Sequence, residues 1–590
     1  MQYVKLNKNS QNNLDNNSGA SHLNGRTNLI KFILIGLGFL LIGRLFYIQI
    51  IKHDYYQGQA LAEHVKKYEI PAKRGLIYAM DGDKKVPIVL NEDRYEIYAD
   101  PRFVENKAEV AKKVSELTGL DKVDIEKKLN NEQSRYVILA KKVTADQKDK
   151  ILSLKDEGVG AKEISIRNYP QGEFASQLLG FVNDDQQGQY GIEQSLNDVL
   201  AGKSGQLKAI TDIRGVPLAV NNDNIQRQPQ NGQNVNLTID IGMQKITEDA
   251  LAGAITRTRV AKASAVLIDA DNGQVKAMAN LPSFNPTDYQ KVTDASLFSN
   301  LVVSGAWEPG SVMKPLILGA ALNEGTLNPG STYYDSMSVQ VDDRTINNSY
   351  PWGARTYSVQ DIITKSLNTG AVHILKSLGG GDISDKARQT YYKYLTDRYR
   401  FNEPTGVEQT GESAGKVIGP DEGYGLRVRY ANMSFGQGLT VTPIQLASAY
   451  ASLINGGKYY QPTLVESVEN EVKKPTLLNS SVVSTTTSGE VKNILKTALE
   501  TNNKAAVRPG YALGAKTGTA EIADGSGNYK TDAYNGVYVG FISGQNKTYV
   551  LLVRLDEPKS ARFASSEAAT TWTEISNKLL DTYSIKPNAN

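Results

Sequence analysis

The stretch GAWEPGSVMKPLILGAAL, residues 305–322, places Ser311 three positions before Lys314 and directly after Pro309-Gly310. The run from Pro315 to Leu322 is apolar and helix-compatible. A Pro-Gly turn suits a helix start, and Pro315 is tolerated only in a helix's first turn. Residues three apart on a helix share a face, so the two side chains would stand together. Ser311 would then sit at the helix N-terminus, where unpaired N–H groups and the dipole favour a developing negative charge. A serine hydroxyl is a poor nucleophile until a base takes its proton. A lysine serves as that base only when neutral, which burial or a nearby cation brings about. By itself, the spacing fits a helix cap beside a solvated lysine better than a catalytic pair.

Two downstream pieces change that balance. KSLNTG carries Ser366 and Asn368 in a helical stretch, YSVQDIITKSLNTGAVHILKSL, residues 357–378. GAKTGTAE, residues 514–521, carries Lys516, Thr517 and Gly518 just before the C-terminal strands. A lysine beside small hydroxyl and glycine residues on a strand would let a ligand backbone come close and meet a cation. Each piece is weak alone, and Gly-rich strand edges are common. S-x-x-K, S-x-N and K-T-G in that order, on helix, helix and strand, form the signature of penicillin-binding proteins and class A β-lactamases. A rival serine motif, GESAG at 411–415, matches the G-x-S-x-G elbow in letters only. That elbow needs a buried strand before it and a helix after it, whereas this one lies in a polar Gly- and Pro-rich loop. His373, in the apolar run GAVHILK, reads as packed rather than catalytic.

At 590 residues the chain exceeds one core, and two or three domains are expected. A net charge of +3 gives no argument for nucleic acid as a partner. With no cysteine, disulfides, Cys-ligated zinc, iron–sulfur clusters and a thiol nucleophile are excluded. The histidines are His22, His53, His64 and His373, and none forms HExxH, so no metal site and no cofactor are expected.

Residues 1–28 read as a disordered tail rich in Asn, Ser and Gln. LIKFILIGLGFLLIGRLFYIQII, residues 29–51, is long enough to span a bilayer, with Arg44 its awkward residue. No small-residue cleavage site comes after it, which argues against a removed signal peptide. Lys5, Lys8, Arg26 and Lys31 against Asp15 favour a cytoplasmic N-terminus, although Lys52, Lys66 and Lys67 weaken the asymmetry. The bulk of the chain is therefore expected outside the cytoplasm.

Residues 52–235 read as a mixed α+β pedestal without catalytic spacing. PAKRGLIYAMDGDKKVPIVLN (71–91) is strand, Asp-Gly turn, strand, and residues 106–120 and 121–131 are short amphipathic helices. Residues 236–585 read as one antiparallel sheet flanked by helices. ASAVLIDADNGQVKAMAN (263–280) and GVYVGFISGQNKTYVLLVRL (536–555) supply its hairpins, and the helices lie between and after them.

From about residue 30 to 575 the chain resembles a class B penicillin-binding protein, and most of all the division-specific FtsI type. WEPGSVMKP resembles that group's E-P-G-S-x-x-K-P, and SLNTGAVHI its S-S-N-x-G-A. MSFGQGLTVTPIQLASAYASLINGG resembles its F/Y-G-Q-G-x-x-V-T-P-x-Q-L-A stretch, and TGVEQTGESAG a family loop, which accounts for GESAG. KRGLIYAMDG departs from R-G-x-I-Y-D-R-x-G at Ala79 and Met80, which puts pedestal contacts in doubt.

The resemblance implies an α+β chain with a membrane anchor, an elongated pedestal and a transpeptidase domain of the penicillin-binding/β-lactamase-like fold. It implies that Ser311 attacks the D-Ala–D-Ala carbonyl of a peptidoglycan stem peptide and that Lys314 takes the Ser311 proton. Ser366 would relay a proton to the leaving D-Ala, and Asn368 would hold the substrate amide and orient Lys314. Lys516 and Thr517 of the Lys516–Gly518 run would anchor the terminal carboxylate. The N–H groups of Ser311 and Thr519 would form an oxyanion hole, each donor worth about 3–4 kcal/mol. An acceptor amine would then resolve the acyl-enzyme into a cross-link, and β-lactams would trap Ser311. Glycan polymerisation is expected of a separate polytopic glycosyltransferase partner in a division complex. An elongation enzyme, a β-lactamase or β-lactam sensor, and a non-catalytic division scaffold are the competing readings.

Overall fold

The computed structural model describes residues 20–56, 65–210, 225–523, 529–557, 564–583 and 585–588. The chain divides into two compact units, residues 1–71 with 204–229, and residues 72–203 with 230–590.

In the first unit a helix spans Ala20–Phe46 and continues as a π-turn over Tyr47–Ile51. The tail expected over 1–28 falls outside the described residues as far as residue 19, but from Ala20 the backbone is already helical. Once a long apolar helix has nucleated, each added polar residue costs little, so the helix starts before its apolar run. Asn28–Ile51, with a mean hydropathy of 2.2, is long and apolar enough to cross a membrane. Strands Val65–Ile70, Gly205–Ile210 and Ile225–Arg227 form a small antiparallel sheet in the same unit.

The second unit starts with β1 (Ile77–Asp81) and β2 (Lys84–Ala99), paired as the expected hairpin, with the turn one residue later than the Asp-Gly reading, at Gly82-Asp83. β2 is long enough to serve two partners in turn. Residues 84–89 pair with β1, and residues 90–99 pair with β4 (Val159–Asn168). β3 (Val137–Val143) pairs with the far end of β2. The helices Lys107–Thr118 and Lys122–Leu129 are capped by Asn106 and Asp121, whose side chains accept from Glu109 N–H and Val123 N–H. β1 also runs parallel to β5 (Val235–Asp240), which pairs on its other edge with β6 (Val465–Val468). A strand from far along the chain thus enters the same sheet as the pedestal strands. Ala79, where the family pattern has Asp, is buried, and β1 keeps its neighbours on both edges.

A further sheet in this unit has five antiparallel strands. They are β7 (Lys262–Asp269), β8 (Val275–Leu281), β9 (Ala512–Ala523), β10 (Tyr529–Ser543) and β11 (Thr548–Asp556), in the order β8-β7-β11-β10-β9. Both expected hairpins form. The strands are apolar on both faces because both faces are covered. Ala265, Leu267, Leu551 and Val553 pack toward the helices Ile241–Thr258 and Ala564–Thr582 through Leu251, Ala254 and Trp572. Val266, Ile268, Val550 and Leu552 join a second core with Leu316, Ile317, Leu446 and Leu453. β9 is an edge strand, as is β8 at the other end, so one side of it has no strand partner.

A buried ionic cluster holds the pedestal segments together. Glu193, fully buried, accepts from Arg74 Nε at 2.7 Å and from Arg167 Nε at 2.6 Å. Arg74 also reaches the Glu193 carbonyl at 2.9 Å and Asn197 Oδ1 at 3.0 Å, and Asn91 links both arginines. Removing one partner of such a cluster strands the rest without water. Glu193→Ala should therefore lower unfolding stability by roughly 3–5 kcal/mol in denaturant titration. A loss below about 1 kcal/mol would show that the cluster carries little.

Candidate active site

The nucleophile candidate lies on a turn held from two sides. Gly310–Met313 is a 3-10 turn that runs directly into α1 (Lys314–Asn323), with Pro315 in the first turn as expected. Gly310 has φ +66°, and its N–H donates to the Gly436 carbonyl at 3.0 Å. Trp307 and Val441 exchange N–H···O bonds of 3.0 Å, and Glu308 Oε1 accepts from Gly438 N–H at 3.0 Å. The FGQGLTV segment therefore cradles the turn from behind. From the front, β9 crosses so closely that a Cβ on Gly518 would stand 2.9 Å from the Pro309 carbonyl oxygen.

Ser366 and Asn368 do not share a continuous helix, contrary to the expected single helical stretch. A helix spans Val359–Lys365, Ser366 takes the left-handed conformation at φ +58°, and α2 begins at Asn368 (Asn368–Leu378). In an unbroken helix the two side chains would point roughly 200° apart. The break turns both toward Lys314, at a conformational cost of about 1–3 kcal/mol for a non-glycine residue.

Lys314 is the centre of the site. It is fully buried, and its Nζ lies 3.0 Å from Ser311 Oγ, 2.7 Å from the Ser366 carbonyl, 3.2 Å from Ser366 Oγ and 2.8 Å from Asn368 Oδ1. Among the described residues no carboxylate pairs with it. Burial, and then the neighbouring Lys516 charge, push its pKa well below the ordinary lysine value. Lys516, also buried, donates to Ser366 Oγ at 3.0 Å, to the Thr517 carbonyl at 3.0 Å and to Thr517 Oγ1 at 3.2 Å. Burial lowers its pKa to about 7. Ser366 Oγ thus bridges the two lysines. The hydroxyl-bearing residues Ser311, Ser366, Thr517 and Thr519 remain partly exposed, so the lysines lie beneath an accessible row of small polar groups.

All eight sequence-predicted residues occur on elements that converge here: Ser311 and Lys314 at the turn, Ser366 and Asn368 at the helix break, and Lys516–Thr519 on β9. Residues that the motif reading passed over complete the surroundings. Asn347 offers its carbonyl to Asn368 Nδ2 at 3.0 Å and so orients that amide, and Ser565 Oγ accepts from Thr519 Oγ1 at 3.1 Å. No local pattern marks either one. Gly310 and Gly436 were visible as glycines, but their mutual contact is long-range. Ser413 of GESAG is used inside its loop, where its Oγ accepts from Gly415 N–H at 3.3 Å. His373 stacks on Tyr333 with ring centroids 4.9 Å apart, as a packed histidine.

A serine beside a buried, unpaired lysine, at the edge strand of an antiparallel sheet, is the arrangement of a serine acyl-transfer enzyme. Residues 263–581 match the model of the penicillin binding protein transpeptidase domain, and residues 69–237 match that of the penicillin-binding protein dimerisation domain. The chain belongs to the penicillin-binding protein transpeptidase family. It is 29% identical over 584 residues to Stage V sporulation protein D of Bacillus subtilis, covering 97% of this chain and 88% of the relative. It is 28% identical over 566 residues to the peptidoglycan D,D-transpeptidase FtsI of Escherichia coli, covering 94% of this chain and 91% of the relative. Among solved structures it resembles penicillin binding protein 2X from Streptococcus thermophilus, with a TM-score of 0.70, 24% identity and coverage of 88% and 80% of the two chains.

The cradle yields a paired prediction. Gly436 has φ +90°, and a Cβ there would lie 2.0 Å from the Gly310 carbonyl oxygen, whereas Gly438, at φ +76°, has open space around it. Gly436→Ala should cost about 3 kcal/mol or more and displace the nucleophile turn, against about 1 kcal/mol for Gly438→Ala. Thermal melts and acylation rates of the two variants check this. Equal effects would contradict the close packing.

Proposed function

We propose that the chain is a peptidoglycan D,D-transpeptidase that cross-links stem peptides through an acyl-enzyme on Ser311. The observation that carries this reading is the burial of Lys314 without a carboxylate, within hydrogen-bond reach of Ser311, Ser366 and Asn368. A buried lysine with no counter-charge favours the neutral amine. The Ser311 hydroxyl then donates to the Nζ lone pair, and Lys314 takes the proton as Oγ bonds to the penultimate D-Ala carbonyl carbon. The tetrahedral oxyanion is held by the N–H groups of Ser311 and Thr519. Ser366, between the two lysines, passes a proton to the leaving D-Ala nitrogen as the peptide bond breaks, leaving an ester. An acceptor amine attacks the ester, its proton returns through the same lysine, and the amide product frees Ser311. Lys516 and Thr517 bind the terminal carboxylate, with Gly518 allowing close approach, and Asn368 positions both Lys314 and the substrate amide.

The domain reading that accompanies this function is a tail over 1–28, already helical from Ala20, an anchor over 29–51, a pedestal over 52–235 and a transpeptidase domain over 236–585. One apolar helix fits a single-pass anchor in the plasma membrane, with the N-terminus cytoplasmic and the site outside. Similarity to a protein named FtsI supports a division role, and a polytopic glycosyltransferase partner is proposed with it. Similarity to one named for stage V sporulation supports a second reading, wall synthesis in sporulation. A fluorescent fusion imaged in dividing and sporulating cells separates the two.

Fluorescent penicillin should label the protein covalently at Ser311, with the adduct persisting for many minutes and its mass located on the peptide containing that residue. Ser311→Ala should abolish labelling. Rapid loss of the label would instead indicate a β-lactamase. Lys314→Met should reduce acylation by at least 1,000-fold without lowering Tm, because it removes a group whose charged form burial penalises.

The two lysines set the pH profile. Both have folded pKa values below their ordinary ones, so each is deprotonated at lower pH than a free lysine. The second-order acylation rate should rise with pH as Lys314 loses its proton, and should carry a declining limb above about pH 7 as Lys516 loses the charge that holds the carboxylate. Lys516→Arg, which keeps its charge, should remove the alkaline decline. An unchanged decline in that variant would assign the limb to another group.

A further inference from the structure

Between the nucleophile helix and Ser366 the chain makes an excursion of two small strand pairs, Thr332–Asp335 with Arg355–Ser358 and Ser338–Val341 with Arg344–Asn347. Its inner side is packed through Tyr333, Val341, Ile346 and Tyr357. Its outer connection, NNSYPWGAR at residues 347–355, runs beside the site. At one end the Asn347 carbonyl holds Asn368, and Asn348 Oδ1 accepts from Thr369 N–H at 3.2 Å. At the other, the Lys365 ammonium lies 4.6 Å from the centre of the Trp352 ring. Lys365 directly precedes Ser366, so both ends of the connection touch the helix break that carries Ser366 and Asn368.

Two large aromatic side chains stand on this connection with much of their surface in solvent, Tyr350 at 50% and Trp352 at 45% exposure. Their ring centroids are 5.8 Å apart and the planes are inclined by 39°. They are not on a loose loop. Tyr357 Oη donates to the Trp352 carbonyl at 2.9 Å and to the Gly353 carbonyl at 3.1 Å, and Lys365 covers part of the indole. Holding aromatic faces open to water in a fixed pose forgoes their burial and pre-organises them for a ligand. The flanking chemistry narrows the ligand. Residues 347–355 contain no Leu, Ile, Val or Met, which a protein-docking face would use, and the exposed neighbours are Asn347, Ser349 and Arg355 together with the small apolar Pro351 and Ala354. Aromatic faces among amide, hydroxyl and guanidinium donors suit a molecule with apolar C–H faces and polar edges.

We propose that Tyr350 and Trp352 form a sugar-stacking subsite that takes an N-acetylhexosamine ring of the glycan strand bearing the stem peptide. The proposal rests on the transpeptidase reading, since a stem peptide entering at Ser366 and Asn368 carries its glycan attachment with it. The adjacent polar groups meet the hydroxyl and acetamido edges, and the rings meet the C–H face. The subsite aligns the strand and leaves the chemistry to Ser311 and Lys314.

The test uses the full-length protein in detergent and two donors, a disaccharide-pentapeptide and the same pentapeptide without sugar. Trp352→Ala and Tyr350→Ala should each raise KM for the glycan-bearing donor roughly fivefold to tenfold, with kcat, the free-peptide rate and fluorescent-penicillin acylation unchanged. Trp352→Phe should restore most of the loss. Equal losses on both donors, or no loss on either, would overturn the proposal, the former assigning the pair to positioning the helix break and the latter to another partner. Penicillin acylation of the wild type reports separately on the transpeptidase reading. Indole NMR shifts on adding the free disaccharide report on the subsite alone, and their absence would count against it.

Discussion

The structure turns on one constraint, a lysine side chain held away from water with no acid to neutralise it. Lys314 is enclosed by Ser311, Ser366 and Asn368, all neutral groups. An ammonium in that position is disfavoured by desolvation and again by the neighbouring Lys516. What would be a defect in a purely structural core is, on the proposed mechanism, what makes a base. The surrounding fold keeps the arrangement in place. The glycine contact behind the turn, the close crossing of β9 and the left-handed Ser366 all cost conformational freedom, and each aims a group at the same amine.

The two lysines divide the work by position. Lys314 lies under the nucleophile at the head of a helix whose residues are buried almost throughout. Lys516 lies on the edge strand, where a ligand can approach and where its neighbours Thr517 and Gly518 present a hydroxyl and a bare backbone. Ser366 Oγ is the only side-chain atom within hydrogen-bond distance of both amines among the described residues. On the proposed mechanism, that makes it the path for a proton between the nucleophile and the leaving group.

Much of the site was legible in the chain itself. The order Ser311, Lys314, Ser366, Asn368, Lys516 carries it because a motif preserves local spacing even when its pieces lie far apart. The hairpins at 271–273 and 544–547 were legible from continuous apolar runs around turn residues. The helix break at Ser366 was not, because Leu367 and the residues around it read as continuous helix, and the tertiary pull of Lys314 overrides that propensity. Nor was the entry of Val465–Val468 into the pedestal sheet, since a strand so short, in polar surroundings, has no distinctive pattern. Asn347 escaped notice because its carbonyl, not its side chain, does the orienting.

The central claim is that Lys314 is a neutral amine at working pH. Selective ¹³C labelling of lysine, with Lys314→Met to assign the signal, allows its titration to be followed directly in the folded protein. The account predicts that Lys314 loses its proton well below the ordinary lysine range, before the exposed lysines begin to titrate. A Lys314 that stays protonated to about pH 10, near the ordinary lysine value, would contradict it.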